Sequence, residues 1–316
     1  MSKKGRHHYI PVFYLKQWAG EDGRICEFSK PYDRVKPRRV HPEGTAYIDG
    51  LNTIEGLPLN QEQYLEDVFF KIADDAAARA LHVLFRPPPW NFTTKERSGW
   101  SRFIVSLMMR NPESLQKHKE IAAAIFKDAL PRIEDAYAND RGPNDPPTYA
   151  EYAAIHGPNP AGRTIVRVIQ GLIDNVDVGR KINSMRWLVL HDPSPKFEIL
   201  TSDRPLLITN GIGHQNSQII MPISPFHIFI ATNNVQTENG IRAVWQTRNG
   251  VQKINERVAC QSRKYVFGRD DKQLKFVSRR LGLKYTADPI ENIKYDLFEI
   301  NRLAASIIER DKRGSA

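Results

Sequence analysis

The chain has 316 residues, of which 41% are apolar and 26% charged, and its formal net charge is +10. That composition belongs to a folded globular protein and excludes a disordered or collagen-like one. No run approaches the roughly 18 to 20 apolar residues of a membrane helix, and the polar start Met1-Ser2-Lys3-Lys4 is not followed by the apolar segment of a secretory signal; the expectation is a cytoplasmic protein with no membrane partner.

Residues 8–15 read as a short extended segment that leads into one helical turn or more through Trp18, and Arg24-Ile25-Cys26-Glu27-Phe28 alternates as a strand does, after a turn from Gly20 to Gly23. The basic run from Lys36 to Pro42 is interrupted by prolines, which predicts an extended loop or an edge strand. From Asn60 to Arg86 the residues Leu65, Val68, Phe69, Ile72, Ala76, Ala80 and Val83 recur at three- and four-residue steps, the spacing of an amphipathic helix, which Pro87-Pro88-Pro89 stops. A second helix opens on Thr93-Thr94-Lys95-Glu96 as a capping box and carries Trp100, Phe103, Ile104, Leu107 and Met108 on one face. It should end near Arg110, because Pro112 disfavours helical geometry in the residue before it. Pro112 itself suits the first position of a third helix, continued by Leu115, Ala122, Ile125, Phe126, Ala129 and Ile133 to about Tyr137.

Breaks at 139–147 and 156–162 flank a short polar helix, and Ile165 to Val176 build another. Near Ser184 the period shortens. Trp187–Leu190, Phe197–Leu200, Leu206–Ile208, Ile219–Ile220 and Ile228–Ile230 are apolar runs between turn-forming residues, as in a sheet. A helix over about 250–264, a strand at Tyr265–Phe267 and one or two small helices beyond Arg280 complete the chain. The pattern predicts an α+β fold in which a helical middle region, 60–183, is inserted between sheet-forming N-terminal and C-terminal segments, 1–59 and 184–316, with mostly antiparallel sheet and a single domain over 1–316.

Cys26 and Cys260 lie far apart, in neither a CxxC pair nor a disulfide-rich spacing, so both read as partly buried thiols rather than zinc ligands or a redox pair. The positive charge is concentrated at the ends. Residues 1–40 hold ten Lys/Arg against four Asp/Glu, and 251–316 hold fifteen against nine, whereas 41–250 hold 21 against 23. If the two ends meet, they make a surface suited to phosphates, and nucleic acid is the natural partner.

The start Gly5-Arg6-His7-His8-Tyr9-Ile10-Pro11-Val12-Phe13-Tyr14-Leu15 resembles the opening of the bacterial DUF4238 family, whose members begin with a similar His-His-Tyr-Val/Ile-Pro-x-Phe-Tyr-Leu stretch. Further on, Thr201-Ser202-Asp203-Arg204-Pro205 resembles that family's Ser-Asp-Asn-Pro element, with Arg204 in place of Asn, and Met221-Pro222-Ile223-Ser224-Pro225 resembles its Pro-Leu-Ser-Pro element. Ile254-Asn255, the Glu66 helix and Arg110 are weaker likenesses. The resemblance spans most of the chain and implies a set of positions rather than a reaction.

Among those positions, His7 and His8 are candidate catalytic bases, because neutral imidazole moves protons near pH 7. Adjacent side chains on an extended segment point to opposite faces, so one histidine rather than both is expected to act. Asp203, at a strand end, is a third catalytic candidate, set against an Asx-turn that caps its own loop. Ser202 lacks the GxSxG elbow of a nucleophile. His8, Glu66 and Asp203 are the residue types that hold a divalent metal ion, with Asp74 and Asp75 further along the Glu66 helix. Arg110, Arg6 and Arg204 are candidate phosphate-binding residues, Arg110 also suiting its own helix C-terminus. Assembled, these give a metal-dependent nuclease. The alternatives are a non-catalytic nucleic-acid-binding module, in which the motifs are structural corners, or a protein-interaction scaffold using the Trp100 and Phe103 helix face.

Overall fold

The computed structural model describes residues 5–53, 65–156, 175–192, 196–247 and 249–284, together with 162, 166, 170 and 171. The N-terminal strand β1 (Arg6–His8) pairs antiparallel with β4 (Tyr47–Asp49), and between them lie α1 (Val12–Leu15), which runs into a 3-10 turn through Trp18, and the hairpin β2 (Ile25–Ser29) and β3 (Lys36–Val40). The Gly20 to Gly23 turn forms as expected, with Gly23 donating to the Gly20 carbonyl at φ +68, a left-handed conformation that glycine adopts without strain.

The helical middle follows, with two differences from the sequence pattern. Leu65–Phe70 is a π-helical turn and α2 is Lys71–Leu84; the start of the expected helix, 60–64, lies outside the described residues. A π turn advances the chain by more residues than an α turn, so the buried face downstream is shifted. Ala73, Ala77, Ala80, Leu81 and Leu84 are buried, while Ile72, expected inside, is 57% exposed. The small residues on α2 let α3 (Thr94–Met109) come close: a Cβ at Gly99 would lie 2.7 Å from the Ala76 Cβ. The α3 capping box forms as expected, Thr93 and Glu96 satisfying each other's backbone N–H groups, and all five residues of its predicted face are buried. Asn111 caps α4 (Pro112–Asp140), which runs through Pro131 beyond the expected end at Tyr137. α5 is Tyr149–His156. The helix expected over Ile165–Val176 falls largely outside the described residues, and Val176 begins an element instead: α6 (Val176–Ser184), capped by Asn175.

Two four-stranded antiparallel sheets complete the fold. The first has the order β5-β9-β8-β7, formed by β5 (Arg186–His191), β9 (His227–Thr232), β8 (Gln218–Ser224) and β7 (Leu207–Thr209). Its two faces alternate. Ile219, Met221, Phe229 and Ala231 pack towards α3, where Trp100 meets the Phe229 ring edge at 5.5 Å, while Leu188, Ile220, Ile228 and Ile230 pack on the other side with Ile254 and Val258. The second sheet has the order β3-β2-β10-β6, in which β6 (Thr201–Ser202) and β10 (Tyr265–Gly268) come from the far end of the chain. Phe197–Leu200 is therefore not the ladder strand its apolar run predicts; the ladder begins one residue later. A helix the pattern did not indicate, α7 (Val235–Trp245), is capped by Asn234 and has no fully buried residue. It is followed by α8 (Gly250–Gln261) and the short α9 (Leu274–Ser278). The small helices expected beyond Arg280 fall in 285–316, outside the described residues. The architecture is α+β, with helices in the middle and antiparallel strands at both ends.

Candidate functional site

The pleat of β1 sends the two histidines apart, as their adjacency predicts. His7 is 1% exposed, and its Nδ1 accepts from the Asn52 backbone N–H at 2.8 Å, which places the ring proton of the neutral form on Nε2. Asn52 in turn donates from Nδ2 to Glu66 at 2.6 Å, so His7 and Glu66 share one intermediary. His8 faces the other way: its Nε2 donates to the Glu43 carbonyl at 3.3 Å and its ring lies 5.5 Å from that of Tyr47. Burial lowers the His8 pKa, and the Glu43 carbonyl and carboxylate oppose that shift. Arg6 stacks over the Tyr47 ring at 4.7 Å.

The next aromatic residues carry the motif into the second half of the chain. The Tyr14 hydroxyl donates to the Pro222 carbonyl and meets the Thr201 hydroxyl, both at 2.7 Å, and Trp18 Nε1 donates to the Ile199 carbonyl at 2.8 Å. The same extended segment is held from the other side. Leu200 N–H donates to Asn255 Oδ1 at 2.9 Å, Asn255 Nδ2 donates to the Glu198 carbonyl at 2.8 Å, and Ile199 N–H donates to the Pro225 carbonyl at 2.8 Å. An edge segment whose N–H and C=O groups lack a full ladder needs such partners, because unpaired buried backbone groups are costly.

Asp203 ends this segment, 5% exposed. Its Oδ1 accepts from Arg263 N–H at 2.9 Å, and its Oδ2 from Lys264 and Tyr265 N–H at 2.6 and 3.0 Å. It thereby fixes the turn between α8 and β10. Burial pushes its carboxyl upward against the pull of these three N–H groups. Burial raises the Tyr9 hydroxyl pKa, and the charges of Asp203, Tyr265, Glu27 and Glu113 raise it further. Glu27, 1% exposed, is held by Arg38 at 3.1 Å and by the Thr45 hydroxyl.

The structure therefore does not bring His8, Glu66 and Asp203 into one metal-ligand set. Among the described residues no group of three or more His, Cys, Asp and Glu side chains is placed to hold a metal ion. Ser202 Oγ accepts from Arg204 N–H at 3.2 Å, a local turn. Arg110 is 1% exposed and bidentate to Asp74 at 3.0 and 2.8 Å, with a third bond to Ser106 and the Phe70 ring 4.6 Å beneath it. That geometry directs the fork to partners inside the protein. Arg204 pairs with Glu113 at 3.2 Å, and its carbonyl accepts from Gln261. Asn52 and Glu27 each hold several of these groups together, and sequence reasoning missed both, since neither belongs to a recognisable motif.

What lies open is basic. β10 seats the C-terminal segment directly against β2, so the two positive ends of the chain share a sheet: 251–284 alone holds ten Lys/Arg against three Asp/Glu. Arg39 on β3 donates to the Arg269 carbonyl just after β10. Ser29 is the register partner of both Lys36 and Tyr265, which sets Lys36 two strand spacings from the Arg263-Lys264 turn, about 10 Å. The β2–β3 loop adds Lys30, Tyr32 and Arg34, all exposed, with Tyr32 at 81%. A groove of about 860 Å³ beside it is mixed in charge, with Arg38, Arg39 and Arg269 set among Glu21, Asp22, Asp270 and Asp271, and is not part of the basic surface. Cys26 faces it with its thiol pushed up to about 12, mainly by burial, and so is an inert thiol at neutral pH.

A family model described as a protein of unknown function matches residues 6–272. The chain belongs to the DUF4238 family. No curated protein and no solved structure matches it. Four of the stretches that resemble DUF4238 in the sequence, those around His7, Asp203, Pro222 and Asn255, converge on the segment Glu198–Asp203. No described helix is long and apolar enough to cross a membrane.

Proposed function

We propose that this DUF4238 protein binds single-stranded nucleic acid through the β2–β3 hairpin and the adjoining flanks of β10. The observation that carries the reading is the exposed Tyr32 set between Lys30 and Arg34 on a hairpin whose neighbouring strand brings in Arg263, Lys264 and Arg269. Cations track a phosphate backbone, and an exposed aromatic ring gives a base a surface on which to stack. The nuclease reading draws no support from a common site: His7 and Glu66 are joined through Asn52, whereas His8 bonds the Glu43 carbonyl and Asp203 the turn into β10.

Fluorescence anisotropy of a labelled 20-nucleotide DNA or RNA strand, titrated at several salt concentrations, tests this. Contact with four or five phosphates gives a slope of log K against log salt of about −3. Tyr32→Ala removes one stacked base, a loss of about 1–3 kcal/mol. Absence of binding at low salt refutes the proposal. So does equal binding by the Lys30→Glu, Arg34→Glu double variant, whose exposed positions leave the fold intact.

A further inference from the structure

The outer face of the β5-β9-β8-β7 sheet is covered by α7 and α8, and the cover is incomplete. Between them remains a half-open cavity of about 430 Å³, within the range of small-molecule sites. Ile220 and Ile228, 3% and 0% exposed, form its floor from the sheet, and Ile241, Trp245 and Ile254 form its walls from the helices. Two glycines leave the space open. At Gly240 on α7 an added Cβ meets nothing within 4 Å, whereas at Gly250, the start of α8, it would lie 2.4 Å from the Trp245 carbonyl oxygen.

The polar lining is one-sided. Lys253 and Arg257 stand one helical turn apart on α8, where residues i and i+4 share a face, and among the described residues no carboxylate lines the cavity. Arg257 makes one long contact, 3.4 Å to the Thr209 hydroxyl, and its own burial lowers its pKa. Among the described residues neither cation has an acidic partner, although elsewhere on the surface Arg186, Arg204, Arg242, Arg269 and Arg280 each do. Two cations at the mouth of an apolar cavity complement a ligand whose one end is an anion and whose other end is hydrocarbon.

We infer that this cavity binds a small amphiphilic anion, an alkyl or aryl body bearing a single carboxylate or phosphate. The apolar body lies on Ile220 and Ile228 beside Trp245, and the head lies between Lys253 and Arg257. The site is separate from the hairpin proposed for nucleic acid and does not depend on it.

Calorimetric titration of the full chain with decanoate, decyl phosphate, decanol and acetate tests the inference. Decanoate or decyl phosphate should bind at least about tenfold more tightly than decanol, the contribution of two charge-assisted contacts at a partly exposed site. The preferred head group then separates a carboxylate ligand from a phosphate one. Acetate should give no heat. The Lys253→Gln, Arg257→Gln double variant should lose that preference while still binding decanol. Gly240→Leu, a helix-favouring change that fills the cavity, should abolish binding of all three decyl compounds in a folded protein. Trp245 fluorescence should change on binding in the native chain. Equal affinity for decanol and decanoate, an unaffected double variant, undiminished binding in Gly240→Leu, or no binding of either decyl anion at millimolar concentration each overturns the proposal.

Discussion

If Asp203 is a structural corner, its replacement should be read first in stability. Its two oxygens accept three backbone N–H groups of the turn into β10, at 2.9, 2.6 and 3.0 Å, in a site 5% exposed. A hydrogen bond to a charged group contributes roughly 1.5–3 kcal/mol, and an orphaned buried donor costs about 1–3 kcal/mol. Asp203→Ala strands three donors. Water entering the vacated space recovers part of the loss, so we expect a destabilisation of about 4 kcal/mol. Asp203→Asn preserves the shape but turns an N–H₂ group towards one set of donors, keeping the bonds to one oxygen only; about 2–3 kcal/mol should be lost. The assay is equilibrium urea unfolding followed by circular dichroism, with hydrogen exchange of the Arg263, Lys264 and Tyr265 amides as the local readout. In both variants those three amides should lose protection before the sheet as a whole does. An Asn variant as stable as the native chain within about 0.5 kcal/mol, with protected amides, would refute the reasoning and return Asp203 to the list of catalytic candidates.

Breaking the buried Arg110–Asp74 pair from either side, with Arg110→Met or Asp74→Asn, should cost about 3 kcal/mol in unfolding experiments, and the double variant should cost less than the two single changes added together. Tyr14→Phe removes a hydroxyl that serves both Pro222 and Thr201 and should cost about 1–3 kcal/mol in the same assay. His227, stacked on its cross-strand partner His191 at 4.2 Å, has its pKa lowered from 6.5 to about 4 by burial and then by that neighbour. The folded state thus resists a proton that the unfolded chain accepts below 6.5, and stability present at neutral pH is lost as the pH falls from 6.5 towards 4. Partial solvent screening reduces the effect to about 1–2 kcal/mol; His227→Gln should flatten the pH dependence of the urea midpoint over that interval.

Local chemistry was legible in the sequence where it closes within a few residues. The Thr93 and Glu96 capping box, the start of α4 at Pro112 and the Gly20 to Gly23 turn all depend on near neighbours. The buried face of α2 was not legible, because a π turn ahead of it shifts the phase that a 3.6-residue period assumes. α7 was missed because its apolar residues Ile241, Val244 and Trp245 fall in its last turn and a half, behind the polar run from Gln236 to Gly240, and none is fully buried, so the stripe is too short to mark a helix. At the candidate site the sequence marked the positions but not the partners they take. The stretches that hold Tyr14, Asp203, Pro222 and Asn255 converge, but many of their partners are backbone groups, which leave no trace in a side-chain pattern: Tyr14 reaches the Pro222 carbonyl across 208 residues, and Asp203 reaches the N–H groups of Arg263 to Tyr265 irrespective of what those residues are.

The most direct test compares nucleic-acid affinity, at one low and one moderate salt concentration, among the native chain, the Lys30→Glu, Arg34→Glu double variant, and His8→Gln. The account predicts that the hairpin variant loses affinity and salt sensitivity together, while His8→Gln binds as the native chain does. A His8→Gln variant that remains folded but no longer binds or processes the strand, beside a hairpin variant that behaves as native, would contradict it.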